Sequence, residues 1–232
     1  MPLPLEKLTK FRHELHAYPE LSGHEEQTAR RVIAYLQALK PDELLTNLGG
    51  HGIVATFDSG QAGPVLLLRS ELDALPIGEI NTFAHHSSNQ GVSHKCGHDG
   101  HATILCGVAE LLSRQRPTKG KVHLLFQPAE ETGEGAAAVL ADPKFAAIKP
   151  DMGVSLHNFP GFKKNSIILK EGIFTIAVSS HIFRFSGYTS HASEPENGRN
   201  PSLAIADLLR ESKLLNMDDP TREEFRFHAY FY

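Results

Sequence analysis

Residues Lys95–Ala102 read KCGHDGHA, which packs one cysteine, two histidines and an aspartate into the six residues from Cys96 to His101. Such a loop suits a metal site, a thiol nucleophile with its base, or an accident of composition. Thiolate and imidazole suit zinc and its neighbours, and carboxylates complete such sites. Cys96 and His98 stand two apart, so on a loop both can point into one cavity, with Gly97 and Gly100 permitting the tight backbone. Glu130 and Glu131 are adjacent and point different ways. One can bind a metal while the other stays free as general base for a water whose pKa the ion lowers. A cysteine–histidine nucleophile pair would call for neither the second carboxylate nor His157, so metal chemistry accounts for more of these residues.

The elements that must position them alternate between helix and strand. Leu5, Leu8, Phe11 and Leu15 recur at helical spacing. Ser22 followed by Glu25 is a capping-box pattern opening a second helix, with Ala29, Ile33, Leu36 and Leu39 along one side. Apolar strands are predicted at Gly52–Phe57, Val65–Arg69, Val122–Phe126 and Met152–His157. A helix is predicted over roughly His101–Leu112. Short apolar strands separated by helices specify an α/β domain with a sheet buried on both faces. In open α/β sheets, ligands bind beyond the carboxyl ends of the strands. Three strands run into Asp73, into Glu130-Glu131 and into His157, and the Cys96–His101 loop enters a helix at the same edge.

Each residue alone has a plain structural reading. Asp73 reads as a turn cap, Glu130-Glu131 as a solvated pair, His157 as a hydrogen-bonded strand-end histidine, and Cys96 or Cys106 as a small buried apolar residue. Their joint placement at one edge is what points to chemistry. After about Lys170 the texture changes. A mixed-polarity strand is predicted at Ile176–Ser186, then a helix capped by Asn200 with Pro201 at its first position, then a half-buried strand over EFRFHAYFY. That is the start of a small α+β domain.

Composition sets the frame. The chain has 232 residues, 41% of them hydrophobic, and a net charge of −4, which lends no support to nucleic-acid or membrane-surface binding. The N-terminal residues lack the apolar run of a secretory signal, and no apolar run is long enough for a bilayer. Two cysteines make no disulfide scaffold, and a reducing cytoplasm is the expected compartment.

KCGHDGH, FQPAEETGEGA, SLHNFPG and GYTSHASEP, in that order, resemble the metal-dependent amidohydrolases that include hippurate hydrolases, aminoacylase-like carboxypeptidases and auxin-conjugate hydrolases. RHELHAYPELSGHE and LRSELDALPIGE match as well. The resemblance implies a zinc-peptidase-like catalytic α/β domain, with a mixed sheet flanked by helices, over residues 1–172. The start of a small α+β lid and dimerisation domain would occupy residues 173–232. It implies that Cys96, His98, Glu131 and His157 ligate metal, with the thiolate between two divalent ions (zinc, manganese, cobalt or nickel). Glu130 would be the general base, Asp73 the acid that orients the site, and His191 the lid histidine that reaches a partner subunit's site to stabilise the oxyanion. Asn200 is a substrate-contact candidate. The implied reaction is hydrolysis of an N-acyl amino acid or small peptide amide by a homodimer joined through its lid.

Two positions depart from the family: Glu71 stands where aspartate is usual and Tyr188 where lysine is common. Family members are also longer. They return from the lid with a segment that carries a last metal-ligand histidine near a Gly-Ser-Glu-Asp-Phe-like stretch, and nothing of the kind follows Tyr232. The chain is therefore expected to be the first part of such an enzyme, holding ligands for one ion and part of a second. The alternative expectation is a truncated, catalytically incomplete homologue that acts as a binding or interaction protein, or without activity.

Overall fold

In the computed structural model, residues 2–173 and 182–215 are described. The chain divides into two compact units, Met1–Asn165 and Ser166–Tyr232.

The first unit is built on a mixed five-stranded sheet. Its strands are β1 (Glu43–Leu48), β2 (Gly52–Asp58), β3 (Val65–Glu71), β4 (Lys121–Gln127) and β5 (Met152–Ser155). Their order is β1-β2-β4-β3-β5. The β1/β2 and β2/β4 pairs are antiparallel, whereas β3 runs parallel to both β4 and β5. Alternate residues of the central strands therefore face opposite cores. Ile53, Ala55, Phe57, Leu124 and Phe126 pack against α1 (Leu5–Ala17), α2 (Glu26–Gln37) and α3 (His98–Arg114). Val54 and Leu125 face the other way, onto Leu48, Val139 of α4 (Gly135–Ala141), Phe145 and Ile148. Burial on both faces thus holds for β2 and β4. It fails at β5, an edge strand exposed along its length.

Several sequence readings shift for physical reasons. β1 is not legible as a strand, because only Leu48 of its residues is buried. α3 starts three residues earlier than predicted, which puts His98 in its first turn. Gly100 is therefore a helical residue, and only Gly97, at φ 93°, needs glycine's freedom. The capping box does not form. Ser22 bonds to Asp73 instead, and the carboxylate of Glu20 accepts the Gln27 and Thr28 N–H groups at 3.2 and 2.6 Å.

In the second unit, α5 spans Ser202–Leu215. Asn200 Oδ1 accepts the Ser202 N–H at 2.9 Å and Pro201 O accepts from Ile205 N, as a cap followed by a first-position proline requires. Tyr188 and Arg199 exchange backbone hydrogen bonds of 3.1 and 3.0 Å, closing a loop that carries His191. Of the strand expected at Ile176–Ser186, residues 182–186 form no ladder among the described residues, and the rest lies outside them. The strand expected over EFRFHAYFY lies outside them as well.

The core dictates where truncation hurts. Leu36 is fully buried and Leu5 is 67% exposed. Leu36→Ala is expected to cost about 2–5 kcal/mol in urea unfolding, and Leu5→Ala less than about 0.5 kcal/mol.

Candidate metal centre

The three parallel strands end at one edge. β3 runs into Glu71-Leu72-Asp73, β4 into Gln127-Pro128-Ala129-Glu130-Glu131, and the chain after β5 into His157. The turn after β4 is held in an unusual shape. Ala129 has φ 47°, a left-handed value that costs a non-glycine residue on the order of 1 kcal/mol or more. Its N–H is anchored to the buried Glu25 carboxylate at 2.7 Å. A Cβ on Gly135 would collide with Pro128 O, so the turn closes only with glycine there. This turn aims Glu130 and Glu131 at α3.

His98 is the hub. Its ring is buried, and Nδ1–H donates to the Asp73 backbone carbonyl at 2.9 Å, with Asp73 Oδ1 at 3.3 Å. That fixes the tautomer and leaves Nε2 as a lone pair. Nε2 lies 3.7 Å from an oxygen of Glu130 and 3.7 Å from an oxygen of Glu131. Neither His98 Nε2 nor Glu131 Oε1 has a hydrogen-bond partner, though both are buried. Asp73 Oδ2 accepts from Ser22 Oγ at 2.7 Å and from Glu131 N at 2.9 Å, tying three segments to one carboxylate. Cys96 Sγ lies 3.3 Å from His157 Nε2.

Negative charge dominates here. Burial opposes protonation of His98, but Asp73, Glu71 and Glu131 together raise its pKa. Burial and the Glu131 and Glu130 carboxylates push the Cys96 thiol up to about 12. A thiol held that high is no nucleophile at neutral pH, since reactive cysteines sit in electropositive surroundings. Nor is His101 free to serve as its base: Nδ1 lies 2.8 Å from Glu71 Oε2, and Nε2 accepts the Asn158 N–H at 3.0 Å.

The donor set fits a divalent cation. One ligand atom each from Cys96, His98 and His157 falls within 4.8 Å of the others, as does one each from His98, Glu130 and Glu131. Sulfur, imidazole and carboxylate are the ligands that zinc and related metals take. The buried, unpartnered His98 Nε2 and Glu131 Oε1 are donor atoms that a divalent cation would satisfy.

Of the residues singled out from sequence, Asp73, Cys96, His98, Glu130, Glu131 and His157 come together in the first unit. His191 belongs to the second. There Ser193 N–H and Oγ both approach its Nδ1, at 3.3 and 2.7 Å, which places the ring proton on Nε2. Asn200 is engaged as the α5 cap. Sequence reasoning missed Ser22 and Glu25 as site supports. The signal was present, but its local capping reading concealed the long-range one.

Residues 67–227 match the peptidase family M20/M25/M40, so the chain belongs to that family of metallopeptidase-like hydrolases. Among its relatives is the N-acetyl-L-cysteine deacetylase of Bacillus subtilis, 37% identical over 88% of this chain and 49% of its own length. Another is the hippurate hydrolase of Campylobacter jejuni, 34% identical over 86% of this chain and 52% of its own. A Bacillus subtilis protein solved as a dinuclear metal-binding peptidase of the M20 family superposes with a TM-score of 0.62 at 34% identity, covering 67% of this chain and 43% of that one. The fold is therefore M20-peptidase-like. The chain spans about half the length of these relatives. No helix among the described residues is long and apolar enough to cross a membrane.

Burial opposes ionisation of Asp73, yet hydrogen bonds from His98, the Glu131 N–H and Ser22 hold its carboxyl at about 2, against 3.8 ordinarily. A depressed folded-state pKa stabilises above the unfolded value and is lost as pH falls through the folded one. The urea midpoint of the metal-free chain should therefore drop between pH 3.8 and about 2. Asp73→Asn should flatten the slope in that window.

Proposed function

We propose that the protein hydrolyses the amide bond of N-acyl amino acids or small peptides with a metal-activated water. The observation that carries this reading is the buried His98 Nε2 lone pair, faced by two carboxylates with no donor between them. The named activities of the relatives support it: a deacetylase of N-acetyl-L-cysteine and a hydrolase of hippurate both cleave an acyl group from an amino acid's nitrogen.

In this reading Cys96, His98, Glu131 and His157 are the ligands. The divalent ions (zinc, manganese, cobalt or nickel) supply Lewis acidity that acidifies a water and polarises the amide carbonyl. Glu130 and Glu131 stand equally far from His98 Nε2, so burial separates their roles: the Glu131 side chain is 20% exposed and that of Glu130 35%. The more open carboxylate suits proton traffic. Glu130 takes a proton from the attacking water and returns it to the amine nitrogen as the C–N bond breaks. Asp73 holds the His98 tautomer. His191, with its proton on Nε2, is equipped to donate to the oxyanion. Residues 173–232 are read as the start of a lid and dimerisation domain, so that His191 would serve the partner subunit's site. A free thiol ligand suits a reducing cytoplasm.

The roles of the two glutamates can be separated in a protein that carries these motifs over the relatives' full length. Glu130→Gln should lower turnover of N-acetyl and N-benzoyl amino acids by at least about 100-fold with metal content unchanged. Glu131→Gln should lower metal content as well. Equal metal loss in both would mean that the roles are misassigned. Turnover that survives chelators but not thiol alkylation would overturn the metal mechanism.

A further inference from the structure

Asn158 links the segment after β5 to α3. Its backbone N–H donates to His101 Nε2 at 3.0 Å, and its side-chain Oδ1 lies 2.6 Å from the same nitrogen. Its backbone carbonyl accepts the Nδ1–H of His157 at 2.7 Å. The side chain also lies directly on Gly97, where a Cβ would collide with it. Gly97 is the one residue between Cys96 and His98. Behind His101, Glu71 Oε2 takes the Nδ1 proton at 2.8 Å, and Glu71 is itself paired with Arg69. A carboxylate accepts only, so Nδ1 carries the proton that faces Glu71, and Nε2 is bracketed by the Asn158 N–H and Oδ1. The chain of contacts runs Arg69, Glu71, His101, Asn158, His157, and ends on a ring whose free Nε2 faces Cys96 Sγ at 3.3 Å.

Each link bears on the site. His157 sits beyond the last residue of an exposed edge strand and is itself exposed, so little packing fixes its ring. The Asn158 carbonyl fixes the tautomer. The edge of the His101 ring approaches the His157 ring at a centroid distance of 4.8 Å, which limits its swing. Glu71 and His101 are both buried, so this end of the chain of contacts is rigid. Neither residue has a free nitrogen or oxygen pointing at the Cys96–His157 pair. His101 therefore acts on His157 through Asn158 and through the packing of the two rings.

We propose that His101 and Asn158 are positioning residues of the metal centre: backed by Glu71, they clamp the segment carrying His157 onto the turn carrying Cys96 and His98. This rests on the reading of Cys96, His98 and His157 as ligands. Supports behind metal ligands are worth about 10–100-fold in affinity.

Cobalt(II) titration of the 232-residue chain tests it, with affinity read by chelator competition and geometry by the cobalt–thiolate charge-transfer band. In His101→Asn, the amide stands in for Nδ1 and keeps the Glu71 bond but does not reach Asn158. It should bind cobalt about 10–100-fold more weakly, with an altered band and a metal-free melting midpoint close to wild type. In His101→Gln, the amide reaches the Nε2 position and should recover most of the affinity. Asn158→Ala leaves the Glu71–His101 pair and the backbone bond to His101 intact and removes the side-chain contacts on His101 Nε2 and on Gly97. It should lose roughly tenfold. Wild-type affinity and an unaltered band in Asn158→Ala, or in a folded His101→Asn, would overturn the positioning role and leave the metal-centre reading standing. A wild-type chain that shows no cobalt–thiolate band would overturn both.

Discussion

The site depends on where one proton sits. Asp73 offers His98 a backbone carbonyl and a carboxylate on the same side of the ring, so the imidazole has a single useful tautomer and presents a lone pair to Glu130 and Glu131. Were the proton on the other nitrogen, the ring would donate to a glutamate and be spent as a simple ion-pair partner. The neighbouring features serve that arrangement. Ser22 and the Glu131 N–H hold Asp73 in place, and the strained Ala129 turn brings the glutamates round to face it.

Electrostatics gives the same region its second property. Glu71, Asp73, Glu130 and Glu131 gather within reach of one imidazole, and burying like charges together is expensive unless something offsets them. Arg69 serves Glu71, and donors surround Asp73. Among the described residues the pair after β4 has no lysine or arginine partner, only His98 and, for Glu131, the Cys96 thiol, which burial and the same field push toward its neutral form. A divalent cation held there would offset the repulsion and favour the thiolate.

The sequence makes the ligating types visible, because cysteine, histidine and glutamate at strand ends have few other reasons to coincide. β2, β3 and β4 are legible for a similar reason: their near-continuous apolar runs have little use outside a covered sheet. β1 is not, since a half-exposed edge strand reading ELLTNL carries neither clean alternation nor a full apolar run. Local patterns mislead where tertiary partners outbid them. Ser22 and Glu25 spell a helix cap, yet they spend their side chains on Asp73 and on the N–H of Ala129. The His98 tautomer is beyond any local pattern, because its acceptor lies 25 residues upstream.

Those distances along the chain carry a consequence for how the protein comes into being. Ser22 meets Asp73 across 51 residues, Asp73 meets Glu131 across 58, and Glu25 meets Ala129 across 104. Contacts of such separation are paid for in loop-closure entropy before they return anything, so they form late. A nascent or partly collapsed chain holds the Cys96–His98 turn without the carboxylates that complete it. In the metal-centre reading, the ability to retain an ion would therefore arrive with the long-range closures, and a bound metal would report that the first unit has folded.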